Sequence, residues 1–135
     1  MHEADGILKV LIADDERIIA NTLTLILNTS GYEAKAVYSG EKALELASEM
    51  SPDVLICDVI LGGISGIDVA IHIARDQPAC RVILFSGQAA TADLLERAEA
   101  DGYRFDILAK PIHPKVLLDY LARLKSTSQP YWPEA

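Results

Sequence analysis

The sequence predicts a doubly wound α/β protein in which five parallel strands form one sheet with helices on both faces. Two observations lead to this fold class. Five short apolar runs occur along the chain, and segments with helical periodicity separate them. Strands that alternate with helices form right-handed βαβ units and a parallel sheet. The 135 residues, 50% of them hydrophobic, suffice for one compact core.

The first strand and helix are predicted from a change in the spacing of the apolar residues. Residues 7–13 form an apolar run that ends at three consecutive acids, Asp14, Asp15 and Glu16. Apolar residues then recur with helical spacing, which predicts a helix over about residues 16–29. Acidic side chains therefore follow the first predicted strand.

A second strand, a second helix and a third strand follow. Residues 33–37 alternate weakly, as is typical of an edge strand. Ser39 is the predicted N-cap of a helix that extends to Met50. Residues 53–57, apolar from Val54 onwards, form the third strand, and Asp58 closes it. A second buried strand is thus predicted to end at a carboxylate.

The next strand ends differently. A helical face begins at Ile67 and ends near Gln77, before a fourth strand over 81–85. Ser86 follows this strand, and helical spacing resumes over residues 91–101. The fourth strand therefore carries a hydroxyl at its end where the first and third carry acids.

The last elements are a fifth strand over 105–109, which ends at Lys110, and a helix over 114–125. Pro114 suits the start of that helix, because the first helical residue needs no N–H partner. The Lys110 amine is thus predicted to lie at the edge of the sheet where the other strands end.

We expect the domain to cover residues 7–125, after a disordered lead at 1–6. Residues 126–135 are linker-like, since Ser and Pro dominate their early part. Tyr131 and Trp132 leave a docking segment as the alternative, although a solvated tail is favoured.

Composition argues against several classes of protein. The net charge of −8 and the pI near 4.7 argue against nucleic-acid binding, which requires clustered Lys and Arg. No apolar run approaches the ~20 residues of a membrane span, and the start of the chain lacks a signal-peptide pattern, so we expect a cytoplasmic protein without membrane contact. Cys57 and Cys80 are predicted to be buried thiols and not a disulfide.

The order 2-1-3-4-5 places strands one, three, four and five side by side. Their carboxyl ends then gather the first polar residues after each apolar run: Asp14, Asp15, Asp58, Ser86 and Lys110. Three carboxylates in one pocket repel one another unless a hard divalent cation neutralises them. Mg²⁺ is the expected ion.

This set of groups suits phosphoryl transfer. An aspartyl oxygen that attacks phosphorus forms an acyl phosphate. A metal ion, an ammonium and a hydroxyl can neutralise the transferring oxygens. Taken singly, each strand-end residue is better explained as a cap or a solvated turn. Their joint occurrence favours a site.

These residues resemble the receiver domain of bacterial two-component response regulators, of the single-domain chemotaxis type, over about residues 7–125. The resemblance implies a flavodoxin-like (βα)5 fold with Asp58 as the phosphoacceptor. It assigns the metal, Mg²⁺ with Mn²⁺ as the alternative, to Asp14, Asp15, Asp58 and the Ile60 carbonyl. Ser86 and Lys110 would stabilise the phosphoryl group.

The resemblance also has departures. Gly62 stands where a proline is usual, so the loop after the acceptor should be less preordered. Ile107 stands where the family usually has the aromatic switch residue, and Phe105 lies two residues earlier. The candidate switch is therefore Ser86 with Ile107 or Phe105.

Other features follow from the resemblance alone. Ile60 and Gln88 occupy the positions that tune hydrolysis of the acyl phosphate. The peptide bond between Lys110 and Pro111 would be cis, as is common in such domains.

The implied function is to accept a phosphoryl group from a sensor histidine kinase or phosphotransfer protein and to signal through altered binding of a downstream protein. The domain would be no enzyme beyond catalysing its own phosphorylation and dephosphorylation. A flavodoxin-like module that binds a phosphorylated cofactor is the alternative, and an unphosphorylated receiver-like scaffold is another. The helix over 91–101, the fifth strand and the last helix are the candidate surface for a homodimer or for a partner protein.

Overall fold

A single parallel sheet forms the centre of the structure, a computed structural model that describes residues 6–87, 96, 99–103 and 105–125. Its strands are β1 (Lys9–Ala13), β2 (Glu33–Val37), β3 (Val54–Asp58), β4 (Arg81–Ser86) and β5 (Asp106–Ala109). Their order in the sheet is β2-β1-β3-β4-β5, and every neighbouring pair is parallel. The predicted fold class and strand order are confirmed.

Four helices are delimited in the part of the chain that the structure describes: α1 (Arg17–Thr29), α2 (Gly40–Met50), α3 (Gly66–Asp76) and the C-terminal helix (Pro114–Lys125). The Ser39 side chain caps α2 by accepting a hydrogen bond from the Lys42 N–H, as the sequence predicts. Most of the predicted helix over 91–101 lies outside the described residues, as do residues 1–5 and 126–135. Of that range, Glu96, Glu99, Ala100 and Asp101 are described, and the first three are helical whereas Asp101 lies in a turn.

The strands contribute alternate residues to two separate cores. Leu11, Leu55 and Leu84 lie on one face in a cluster with residues of α2 and α3. Their neighbours in sequence, such as Ile12 and Ile83, lie on the other face in a cluster with residues of α1 and the C-terminal helix. Successive side chains of a strand point to opposite faces, so a sheet covered on both faces has strands that are apolar throughout. This explains the continuous apolar runs of β1, β3 and β4.

The carboxyl ends of β3 and β4 lie one residue later than predicted, and β1 begins at Lys9, two residues later than predicted. Asp58 pairs with Phe85 and Ser86 pairs with Ala109, so both polar residues belong to their strands. The ladder continues because the Val59 N–H still donates to the Phe85 carbonyl, at 3.0 Å. The fifth strand begins one residue later than predicted, at the buried Asp106. The cores therefore reach up to the polar strand ends.

Two further expectations can be compared with the described residues. Cys57 and Cys80 are free and buried, as predicted. Among the described helices, none is both long enough and apolar enough to cross a membrane.

Gly66 allows α3 to begin in contact with the backbone at the end of β3. A Cβ atom on Gly66 would lie only 2.8 Å from the Asp58 carbonyl carbon and would overlap the carbonyl oxygen. The Gly66 N–H also donates to the Val59 carbonyl, at 2.9 Å. The loop that follows Asp58 is thus closed by a contact that only glycine permits.

We expect Gly66→Ala to lower the free energy of unfolding by about 3 kcal/mol or more, because the clash is with backbone that cannot rotate away. Gly62→Ala is the matched control in the same loop, since the nearest atom to a Cβ there is 3.9 Å away. That control should change stability by less than about 1 kcal/mol. Urea denaturation measures both, and equal midpoints for the two variants would contradict the packing argument.

Candidate functional site

Three carboxylates meet at the carboxyl edge of the sheet. Asp14 follows β1 and Asp58 closes the adjacent strand β3, so the pairing of these strands brings the two acids together. Asp14 and Asp58 are buried, whereas Asp15 is exposed. One oxygen from each of these three carboxylates lies within 4.8 Å of the others. The predicted acidic cluster therefore exists.

The Lys110 ammonium lies among these acids. Its Nζ is 2.9 Å from Asp14 Oδ2, 2.9 Å from Asp58 Oδ2 and 3.3 Å from Glu16 Oε1. The backbone N–H of Lys110 donates to the Ser86 carbonyl at 3.1 Å, which ties the end of β5 to the end of β4. The peptide bond between Lys110 and Pro111 is cis, in agreement with the resemblance. Lys110 thus occupies the place that the sequence predicts.

The electrostatic environment affects Asp58 and Lys110 in different ways. Burial raises the pKa of Asp58, and the hydrogen bond and charge of Lys110 lower it only in part. Burial lowers the pKa of Lys110, but the hydrogen bonds and charges of Asp14 and Asp58 outweigh it, so the net pKa is raised. The ammonium therefore stays charged at neutral pH and partly offsets the cost of an ionised Asp58.

The donor set fits a hard divalent cation. Asp14 Oδ2 has almost no solvent contact and lies 2.9 Å from the Lys110 ammonium. A buried carboxylate oxygen with spare capacity, near two further carboxylates, suits an oxygen-seeking ion such as Mg²⁺. Asp14, Asp15 and Asp58 could therefore hold such an ion.

Ile60 and Ser86 flank the acceptor. The Ile60 N–H donates to Asp58 Oδ1 at 3.2 Å, and its side chain is 50% exposed. Ser86 closes β4 and is half-buried, next to the Lys110 backbone. Gln88, the other predicted hydrolysis-tuning residue, lies outside the described residues.

The two candidate switch residues on the fifth strand differ in environment. Ile107 pairs with Leu84 across the sheet, and its side chain is 45% exposed. Phe105 is half-buried against the α2/α3 core and stacks on Tyr103, with 6.2 Å between ring centroids. Two aromatic side chains, those of Phe105 and Tyr103, thus lie just before β5. The family's usual switch position holds an exposed aliphatic residue.

Two interactions were missed from the sequence. Glu16 contacts Lys110, although only its two predecessors were assigned to the site. Its place in the run of three acids was the available signal. Asp106 accepts a short hydrogen bond from the Tyr120 hydroxyl, and burial raises the pKa of this carboxyl. Nothing in the local sequence indicates that pairing, because the partners lie on different elements.

Comparison with known proteins now supplies the family. Residues 10–122 match the response regulator receiver domain family. The chain belongs to this family. Among solved structures, the chemotaxis response regulator CheY4 of Vibrio cholerae superposes with a TM-score of 0.76 at 26% identity, over 88% of this chain and 99% of that one. The match favours the receiver over the cofactor-binding alternative.

Curated relatives are longer proteins. The probable transcriptional regulatory protein TcrX of Mycobacterium tuberculosis is 31% identical over 94% of this chain and 54% of its own length. The DNA-binding response regulator MtrA of Mycolicibacterium paratuberculosis is 28% identical over 82% of this chain and 48% of its own. This chain thus spans about half the length of these relatives. Since MtrA is named as DNA-binding, the expectation of no nucleic-acid partner is not supported.

The raised pKa of Asp58 predicts how pH affects stability. The folded state holds the Asp58 proton more tightly than the unfolded state does, so the stabilisation from the protonated form is lost as pH rises through the folded pKa. Without metal, Asp58→Asn should therefore unfold at higher urea concentration than wild type at pH 7. The difference should shrink as pH falls towards the ordinary carboxyl pKa of 3.8. Equal urea midpoints for the two proteins across this pH range would contradict the conclusion that burial raises the pKa of Asp58.

Proposed function

We propose that Asp58 accepts a phosphoryl group from a sensor histidine kinase or phosphotransfer protein, and that the phosphorylated domain binds a downstream protein with altered affinity. The observation that supports this most strongly is the contact of the Asp58 carboxylate with one ammonium beside two further acids. Family membership supports it independently.

The transfer requires an ionised Asp58. Its oxygen forms a bond to phosphorus while the bond from phosphorus to the donor histidine nitrogen breaks, and that nitrogen keeps the electron pair. Lys110 favours the ionised form, because its ammonium is 2.9 Å from Asp58 Oδ2. The same ammonium and the Ser86 hydroxyl would neutralise the transferred oxygens.

A divalent ion would complete the charge balance. Asp14, Asp15, Asp58 and the Ile60 carbonyl would hold Mg²⁺, with Mn²⁺ as the alternative. When bound, the ion supplies positive charge against the phosphoryl oxygens. The spare capacity of Asp14 Oδ2 supports this assignment.

The response to phosphorylation would use Ser86 and the residues of β5. We place the partner or homodimer surface on β5, the C-terminal helix and the predicted helix over 91–101, where Ile107 and Val116 are 45% and 49% exposed. Ser86 pairs with Ala109 on β5, so a shift of the Ser86 backbone would be passed to that strand. The side chains of Phe105 and Ile107 would then shift with β5.

Phosphorylation should require both Asp58 and a divalent ion. Incubated with a small-molecule phosphodonor and Mg²⁺, wild type should gain the mass of one phosphoryl group. Asp58→Asn, and wild type with the metal chelated, should gain none. Asp68→Asn, which removes an exposed carboxylate from α3, is the matched control and should be phosphorylated like wild type. Intact mass spectrometry measures all four samples, and phosphorylated Asp58→Asn would refute the assignment.

The half-life of the phosphorylated form should depend on Ile60. This apolar side chain stands beside the acceptor and cannot orient an attacking water, so Ile60→Asn should shorten the half-life severalfold. Intact mass followed over time after removal of the donor measures it. Val116→Asn, a change at an equally exposed apolar residue on the C-terminal helix, should have no effect. An unchanged or longer half-life in Ile60→Asn, with Mg²⁺ affinity unaltered, would count against this role.

A further inference from the structure

A cavity lies beside the carboxylate cluster. It has a volume of about 300 Å³, between the start of α1 and the segment that joins β5 to the C-terminal helix. Its wall is mostly apolar, and the residues that form most of it are Ile18, Ile19, Leu23, Pro111, Ile112 and Pro114. Lys110 lines this cavity as well as contacting Asp14 and Asp58. The cavity therefore shares one wall with the proposed phosphorylation site.

Ile18, at the edge of this cavity, is highly exposed for an aliphatic residue. Its side chain is 82% exposed, although it lines an apolar cavity. One exposed aliphatic residue alone needs no explanation. An exposed aliphatic residue next to an apolar cavity of this size is what a binding site for an apolar side chain would present.

We propose that the segment Pro130-Tyr131-Trp132-Pro133 of the same chain docks in this cavity, with the Trp132 ring packed against Ile18. This inference goes beyond the proposed phosphorylation and does not depend on it. The segment has two large aromatic side chains between two prolines. Each proline fixes its own backbone φ angle, so a segment with two prolines has less conformational entropy to lose when it binds.

The length of the chain allows this contact. From Lys125 back to Pro114 the C-terminal helix covers eleven residues, about 17 Å at 1.5 Å per residue. From Lys125 to Trp132 the chain has seven residues, which reach up to about 23 Å when extended. The C-terminal helix and α1 pack in one core cluster, so the segment can return along the two helices to the cavity at their N-terminal ends.

The polar groups of the cavity also suit an indole. Trp has one N–H donor and no acceptor, and this donor needs a partner when the ring is buried. Thr22 lines the cavity, and a threonine hydroxyl can accept such a bond. A docked Trp132 would lie beside Lys110, which also lines the cavity.

Trp132 is the only tryptophan of the chain, so its fluorescence reports its environment without labelling. In the full chain we expect a blue-shifted emission maximum and severalfold weaker quenching by acrylamide than in the urea-unfolded protein. Ile18→Glu should shift the emission to the red and raise quenching towards the unfolded value. Leu25→Glu is the matched control, because Leu25 is 66% exposed on the same helix and does not line the cavity. It should behave like wild type.

Three outcomes would overturn the proposal. One is wild-type emission and quenching equal to those of the unfolded chain. Another is a protected Trp132 that Ile18→Glu leaves protected, since the ring would then be buried elsewhere. The third is protection lost on dilution of the protein, which would assign the cavity to a second copy. If Ile18→Glu fails to show native circular dichroism, Ile18→Gln tests the same contact without a charge.

Discussion

The contact of one ammonium with two carboxylates is the interaction on which the proposed site depends. Asp14 and Asp58 are buried at the end of the sheet, and without Lys110 two buried negative charges would face each other. Such an arrangement costs free energy unless a positive group compensates. The fold provides that group directly after β5, a strand that is separated from β3 by β4 in the sheet. The proposed phosphoryl chemistry at this edge therefore requires four strands in correct register.

Much of this arrangement could be predicted from the sequence, because the site is built from strand ends. Each strand buried on both faces appears as a continuous apolar run, and the first polar residue after it marks the edge of the sheet. Asp14, Asp58 and Lys110 were located in this way. The strand order needed a further assumption, which the pairing of β1 with both β2 and β3 confirms.

The features that could not be predicted depend on side-chain direction or on packing between distant segments. Glu16 starts α1, but only the structure shows its carboxylate reaching Lys110. The bond between Tyr120 and Asp106 links two elements whose spacing in sequence gives no signal. The cavity beside Ile18 forms where α1 meets the segment after β5, so its wall comes from residues about ninety positions apart. Local patterns do not contain such information.

Calorimetric titration with Mg²⁺ tests most directly the claim that one ammonium balances the charge of the acid pocket. If Lys110 compensates Asp14 and Asp58, a bound cation must share these carboxylates with it, and its removal should increase the attraction for Mg²⁺. Lys110→Met should therefore bind Mg²⁺ severalfold more tightly than wild type at low ionic strength. Lys115→Met, which removes an exposed lysine of the C-terminal helix, should bind like wild type. Equal or weaker binding in Lys110→Met would contradict the account.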